Sequence, residues 1–198
     1  MIKDINYKIS IAGIGGQHVL TLTTIIAKAA VAAGLNVTAF TRLRSAMRLG
    51  PVLCDIRINS DKGFFPTIST GTADVVIGLE PYEGGIIASQ LIRSNGYVLI
   101  NIAQTPPINC IFSGEPYPDM NPIWTKARES GVNLIFLDAS NLAQTIPGSK
   151  EGANIVLLGV LSKRVKEFPI SISILRKTIG ENEMSLRCFE LGYQYQGS

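Results

Sequence analysis

An apolar stretch that meets three glycines within four residues and then runs straight into a second apolar stretch can fold in few ways. In this chain it is Ile9-Ser-Ile-Ala-Gly-Ile-Gly-Gly-Gln-His18, continued to Ala33. The first part, about Tyr7 to Ala12, reads as a buried strand. The part after the loop, roughly Gln17 to Ala33, reads as a helix that stops at Gly34. Gly13, Gly15 and Gly16 let the backbone turn tightly, including through positive φ. Strand, tight loop and helix in this order open a Rossmann-like α/β fold, and the first helical amides would then face an anion at the strand's C-terminal edge. The dinucleotide spacing G-x-G-x-x-G needs glycine at position 18, where the chain has His18, its only histidine.

The rest of the chain extends the same pattern. Leu35 to Phe40 is expected as a strand, giving with the first a right-handed βαβ unit. Thr41 to Gly50 is a basic loop. Pro51 to Ile58 reads as a strand with Cys54, Ile56 and Ile58 on one face, antiparallel at an edge. A turn over Ser60 to Gly63 leads to a short strand at Phe64 to Ser69. Ala73 to Leu79 is a buried strand, Glu83 to Arg93 its helix, and Ser94 to Gly96 the turn into the strand Tyr97 to Asn101. Ala103 to Pro118, rich in proline, is expected to be irregular or to hold a short strand at Cys110 to Phe112. Pro122 to Ser130 is a helix and Asn133 to Leu137 the last strand. Asn141 to Thr145, Ala153 to Lys163, Ile170 to Ile179 and Glu181 to Tyr193 are helix-like. The expectation is one α/β domain over residues 1–198, a mostly parallel sheet flanked by helices, with 151–198 as a helical C-terminal extension.

Composition narrows the function. Of 198 residues, 46% are hydrophobic and only 17% charged, which implies surface buried against another subunit and a homo-oligomer when the chain is isolated. The net charge of +3 is spread out, and its densest basic stretch, Arg42, Arg44 and Arg48, is too short for a nucleic-acid footprint. Cys54, Cys110 and Cys188 are isolated, which signals neither zinc nor an iron–sulfur cluster within the chain. No signal-peptide pattern opens the sequence, and the run from Ile25 to Ala33 is too short to span a bilayer. A cytoplasmic protein away from the membrane is expected.

For the glycine loop, a nucleotide cradle competes with a turn that merely packs closely. A dinucleotide site wants an acidic residue about 20 positions on to hold the ribose, and Ala39-Phe40-Thr41-Arg42 offers none. Arg42 and Arg44 would instead meet the 2′-phosphate of NADP, which keeps a free-standing NADP-binding oxidoreductase as one alternative. His18 would fall in the first helical turn, where the dipole disfavours its charged form. Glu80 and Asp138 follow two strands at the edge where α/β ligand sites gather, although Asp138 suits a helix N-cap equally well. No self-sufficient catalytic motif is present.

Several segments occur in the order of a known family: Gly13-Ile-Gly-Gly-Gln17, Ala29-Ala-Val-Ala-Ala-Gly34, Arg44-Ser-Ala-Met-Arg-Leu-Gly50, Ala73-Asp-Val-Val-Ile-Gly-Leu-Glu-Pro81, Leu137-Asp-Ala139, Ala153-Asn-Ile-Val-Leu-Leu-Gly159 and Phe189-Glu-Leu-Gly-Tyr193. Over nearly its whole length the chain resembles the gamma-type subunits of the 2-oxoacid:ferredoxin oxidoreductases. Leu79-Glu-Pro-Tyr-Glu83 is closest to the version in the beta subunit of the indolepyruvate enzymes. The resemblance implies an accessory subunit of a complex that oxidatively decarboxylates a 2-oxoacid with coenzyme A and passes electrons to ferredoxin. Thiamine diphosphate and iron–sulfur clusters would sit on a large partner subunit. Gly13, Gly15, Gly16 and Gln17 would then face a ligand or the partner's cofactor, with Arg48 beside them. Two departures stand out: His18 where the family has glycine after Gly-Gly-Gln, and Leu49 where its second signature reads Arg-Gly-Gly. They leave a divergent, non-catalytic scaffold as a further alternative.

Overall fold

The computed structural model describes residues 6–43, 50–59, 67–106, 108–149 and 151–197. Six strands form one sheet: β1 (Asn6–Ile14), β2 (Asn36–Leu43), β3 (Pro51–Asn59), β4 (Ala73–Gly78), β5 (Ile92–Asn101) and β6 (Asn133–Leu137), in spatial order β2-β3-β1-β4-β5-β6. β1, β4, β5 and β6 are mutually parallel, and β3 pairs antiparallel with β1 on one side and β2 on the other. The helices are α1 (Val19–Ala32), α2 (Pro81–Leu91), α3 (Ile108–Ser113), α4 (Asn121–Glu129), α5 (Ala139–Gln144), α6 (Ala153–Arg164), α7 (Ile172–Ile179) and α8 (Glu183–Gln194).

Period-2 patterning sorts the strands' side chains between two cores. Ile9 and Ile11 of β1, Cys54, Ile56 and Ile58 of β3, and Val75 and Ile77 of β4 share one core with α1, α6 and α8. Ala12, Leu53, Val76, Val98 and Ile100 share the other with Ile87 of α2 and Trp124 of α4. α6 is buried from Asn154 to Leu161, because sheet-side and α8-side neighbours enclose it. α6 and α8 cross where Gly159 and Gly192 face each other's backbone. A Cβ on Gly192 would stand 2.8 Å from the Val156 carbonyl carbon, and one on Gly159 2.7 Å from the Tyr193 nitrogen.

The strands and turns depart from the sequence expectations in four places. β3 is antiparallel but lies inside the sheet, separating β2 from β1. The reason is burial: Cys54, Asp55, Ile56 and Ile58 are wholly enclosed and need a strand on each side, while half-exposed β2 with its exposed Phe40 tolerates the edge. Cys110 to Phe112 belong to helix α3, not to a strand. β5 begins directly after α2 at Ile92, and the expected turn at Ser94 to Gly96 is absorbed as an irregularity in the β4–β5 register, with Asn95 at φ 60°. Of the expected strand at Phe64 to Ser69, residues 64–66 lie outside the described residues and 67–69 are not in a strand.

Asp55 sits on β3, between β2 and β1, with no exposure. Its carboxylate accepts from the Ser10 hydroxyl at 2.7 Å, from Arg42 Nη2 at 2.8 Å and from the Ile68 amide at 3.3 Å. A buried charge survives only when its oxygens are satisfied in this way.

Candidate functional site

The C-terminal ends of β1, β4, β5 and β6 all fall on one edge of the sheet. Between β1 and β4 the chain's connections diverge, α1 leading towards β2 and α2 towards β5, so this is the crevice where open α/β sheets take ligands. The glycine loop closes over it. A cleft of about 130 Å³ lies there, lined by Gly16, Gln17, His18, Leu79, Asn101, Ser140, Glu151 and Ala153. A larger cleft of about 550 Å³ adjoins it between α1, the start of α6 and α8, and shares His18 and Glu151 with it.

The loop is held from inside. Gln17 folds back so that its Oε1 accepts the Ile14 amide at 3.0 Å, while its Nε2 donates to Thr105 Oγ1 at 3.4 Å. The Gly15 amide donates to the Gly50 carbonyl at 2.9 Å and the Gln17 amide to the Ile14 carbonyl at 3.1 Å. Gly13 lies under this turn: a Cβ there would stand 2.8 Å from Gln17 Oε1 and 3.1 Å from Leu79 Cβ. Gly16 takes φ 100° with open space beside it. The Ile14, Gly15 and Gln17 amides are therefore already bonded within the chain. The structure brings Gly13, Gly15, Gly16 and Gln17 together at the edge. Arg48, with Arg44 and Leu49, lies outside the described residues.

His18 is not in the first helical turn. It is the N-cap of α1, left-handed at φ 60° and ψ 33°, the backbone region where glycine is at ease and an L side chain is strained. Its Nε2 stands 2.5 Å from Glu151 Oε2 in an exposed pair, and its carbonyl accepts from Asn154 Nδ2 at 3.3 Å. Glu151 thus lines both clefts beside the His18 ring.

Neighbouring strand ends are tied by neutral polar groups. Asn101 Nδ2 donates to the Leu79 carbonyl at 3.1 Å and to Ser140 Oγ at 2.9 Å, and the Ser140 amide donates back to Asn101 Oδ1 at 3.3 Å. Asp138 caps α5 by accepting the Asn141 amide at 2.8 Å. Glu80 caps α2 by accepting the Glu83 amide, and its other oxygen accepts from the Tyr117 hydroxyl at 2.8 Å. Tyr117 in turn accepts the Tyr82 amide at 2.7 Å. Burial pushes the Glu80 carboxyl up from its ordinary value despite these donors, and burial together with the Glu80 hydrogen bond pushes the Tyr117 hydroxyl up.

A stability test follows from Glu80. The folded state holds its proton to higher pH than the unfolded state does, so ionising Glu80 above pH 4.5 costs stability progressively. Glu80→Gln has no such cost. The stability of the native chain relative to Glu80→Gln is expected to fall between pH 4.5 and 7, as read by denaturant unfolding at the two pH values. A constant difference would mean that the carboxyl is not perturbed.

Sequence reasoning overlooked Glu151, Asn154, Asn101 and Tyr117. Asn154 stands inside one of the quoted family segments but with no role attached to it. The other three have no local signal, because the topology alone brings them to the edge. Among the described residues no three His, Cys, Asp or Glu side chains stand close enough to hold a metal ion, and no helix is long and apolar enough to cross a membrane. Cys54 and Cys188 are buried and Cys110 half-buried.

This geometry defines a Rossmann-like α/β chain whose glycine loop is a closed turn at the switch point. A family model described as pyruvate ferredoxin/flavodoxin oxidoreductase matches residues 8–195, and the chain belongs to that family. It is 31% identical over 191 residues to indolepyruvate oxidoreductase subunit IorB of Archaeoglobus fulgidus, covering 93% of this chain and 92% of the relative. The same subunit of Thermococcus kodakarensis is 30% identical over 196 residues, with 94% of each chain covered. Among solved structures, the pyruvate oxidoreductase subunit PORC of Thermotoga maritima matches with a TM-score of 0.67 at 20% identity over 96% of both chains. The 2-oxoglutarate:ferredoxin oxidoreductase of Magnetococcus marinus, solved with 2-oxoglutarate, coenzyme A and succinyl-CoA bound, matches with a TM-score of 0.70 at 21% identity. It covers 96% of this chain but only 31% of that longer chain. These likenesses bear out the expected fold and family.

Proposed function

We propose that the chain is the accessory subunit of a 2-oxoacid:ferredoxin oxidoreductase, of the indolepyruvate or aryl-pyruvate type. What supports this most is the end-to-end match to relatives named as indolepyruvate oxidoreductase subunits, joined to a site with no self-sufficient chemistry. In this reading a large partner subunit carries thiamine diphosphate and iron–sulfur clusters, which supply decarboxylation and electron transfer. Coenzyme A is a substrate of the complex, and ferredoxin takes the electrons. This chain, a single α/β unit working in the cytoplasm, contributes its sheet edge. Gly13, Gly15, Gly16 and Gln17 form a rigid turn facing the partner's active site, with Arg48 beside it. Ile102, which is 46% exposed at the end of β5, and Phe112 of α3, which is 77% exposed, supply apolar surface for the partner to cover.

The NADP alternative loses its supports one by one. Arg42 is paired with Asp55, three of the loop amides are engaged, and the Glu151 carboxylate lines the cleft. The isolated chain is therefore expected to show no saturable NADPH binding at micromolar concentrations by calorimetry. Affinity purification of the chain from its native cells is expected to bring down a thiamine-dependent iron–sulfur partner with aryl-pyruvate oxidoreductase activity. Micromolar NADPH binding, or the absence of such a partner, would overturn the reading.

A further inference from the structure

The glycine loop passes into α1 through a strained residue, and the support for that residue comes from 136 positions away. His18 is held left-handed, and its carbonyl accepts from both the Leu22 amide at 3.1 Å and Asn154 Nδ2 at 3.3 Å. Asn154 is 3% exposed, in the first turn of α6. Its Oδ1 accepts the Ile155 amide at 2.9 Å, so both ends of the side-chain amide are engaged. It cannot rotate without leaving a buried polar group unpaired, which fixes its direction. The exposed Glu151 partner of the His18 ring offers no comparable hold, because solvent screens it.

We propose that Asn154 is the positioning residue of the glycine loop. It keeps His18 in the left-handed turn that a glycine would adopt unaided, and so sets the direction in which Gly15 and Gly16 face the sheet edge. This rests on the reading above only for the consequence, that the partner subunit docks on a preset loop. α6 and the loop behave as one rigid piece, and a partner that moves one moves the other.

The discriminating variant is Asn154→Asp, which preserves shape, still accepts the Ile155 amide and suits the positive end of the α6 dipole, but has no donor for His18. In the isolated chain, hydrogen exchange at the amides of Gln17 and Leu22, the latter bonded to the His18 carbonyl, is expected to speed up about three- to tenfold, the loss of one hydrogen bond of ordinary strength. Protection in the middle of α6 is expected to stay unchanged. Asn154→Ala should loosen both the loop and the first turn of α6. Unchanged loop exchange in Asn154→Asp, or a uniform rise throughout the molecule, would overturn the proposal and leave Asn154 an ordinary core residue. The reconstituted complex separates this from the function: weaker partner affinity with kcat preserved at saturation is expected. A loosened loop with unaltered affinity and kcat would uphold the positioning role and overturn docking through the loop.

Discussion

Gly192→Ala is expected to cost the chain about 3 kcal/mol, the upper end of what overfilling a packed interior costs. The added methyl group would meet the carbonyl of Val156 on the facing helix. The obstacle is backbone, so no side chain can swing aside, and α8 must lift off α6 along its length. Phe189 and Cys188 of α8, almost wholly buried, would lose their fit at the same time. For a chain of this size the loss corresponds to roughly 6–12 °C in melting temperature, which thermal unfolding followed by circular dichroism would read. Gly159→Ala attacks the same crossing from the other helix. The double variant should therefore cost clearly less than the sum of the two, because the helices need part only once. A change below about 1 kcal/mol in Gly192→Ala would show that the two backbones do not approach as described.

Asp55→Ala is the second large loss, again about 3 kcal/mol, at the lower end for breaking a buried ion pair. It strips acceptors from the buried Ser10 hydroxyl and the Ile68 amide and leaves Arg42 without its carboxylate. Arg42 is 41% exposed at its side chain and can turn to water, which keeps the loss from being larger. Asp55→Asn retains shape and one acceptor and should cost about half as much, the order of one ordinary hydrogen bond with a charged partner. Urea unfolding would measure both, with m-values unchanged if the compactness of the two end states is unaltered. Equal losses for Asn and Ala would mean that the charge, and not the set of hydrogen bonds, is what matters at this position.

The edge where the site lies was legible from the glycines. Strand, turn and helix are dictated locally: apolar β-branched residues, a loop that needs small residues, and an apolar run ended at Gly34, where the Gly34 amide reaches the Val31 carbonyl and the Leu35 amide reaches that of Ala30. Cys54, Ile56 and Ile58 on one face were equally plain from alternation. The position of β3 was not. Alternation tells which face is buried but not how many neighbours a strand has, and Asp55, a charge that suits an exposed edge, spoke against the interior place it takes. The segment around Cys110 misled because its prolines speak for irregular backbone while the six residues of α3 contain none. His18 looked like a missing glycine in a nucleotide signature. Its φ of 60° shows that the position does call for glycine's backbone geometry. Glu151 and Asn154 could not be found locally, because their relation to the loop exists only once α6 is laid beside α1.

That α6 and α8 complete the core begun by β1 also bears on how the chain comes into being. Ile11 is made early and Phe189 late, 178 positions apart, yet they belong to one buried cluster. At translation rates of about 5–20 residues per second, roughly 10–35 s pass between their emergence. During that interval β1 has α1 to lie against, but the places that α6 and α8 take in the same core stand open. The sheet can be drafted before α6 and α8 are made, but the core on that face closes only when they join it.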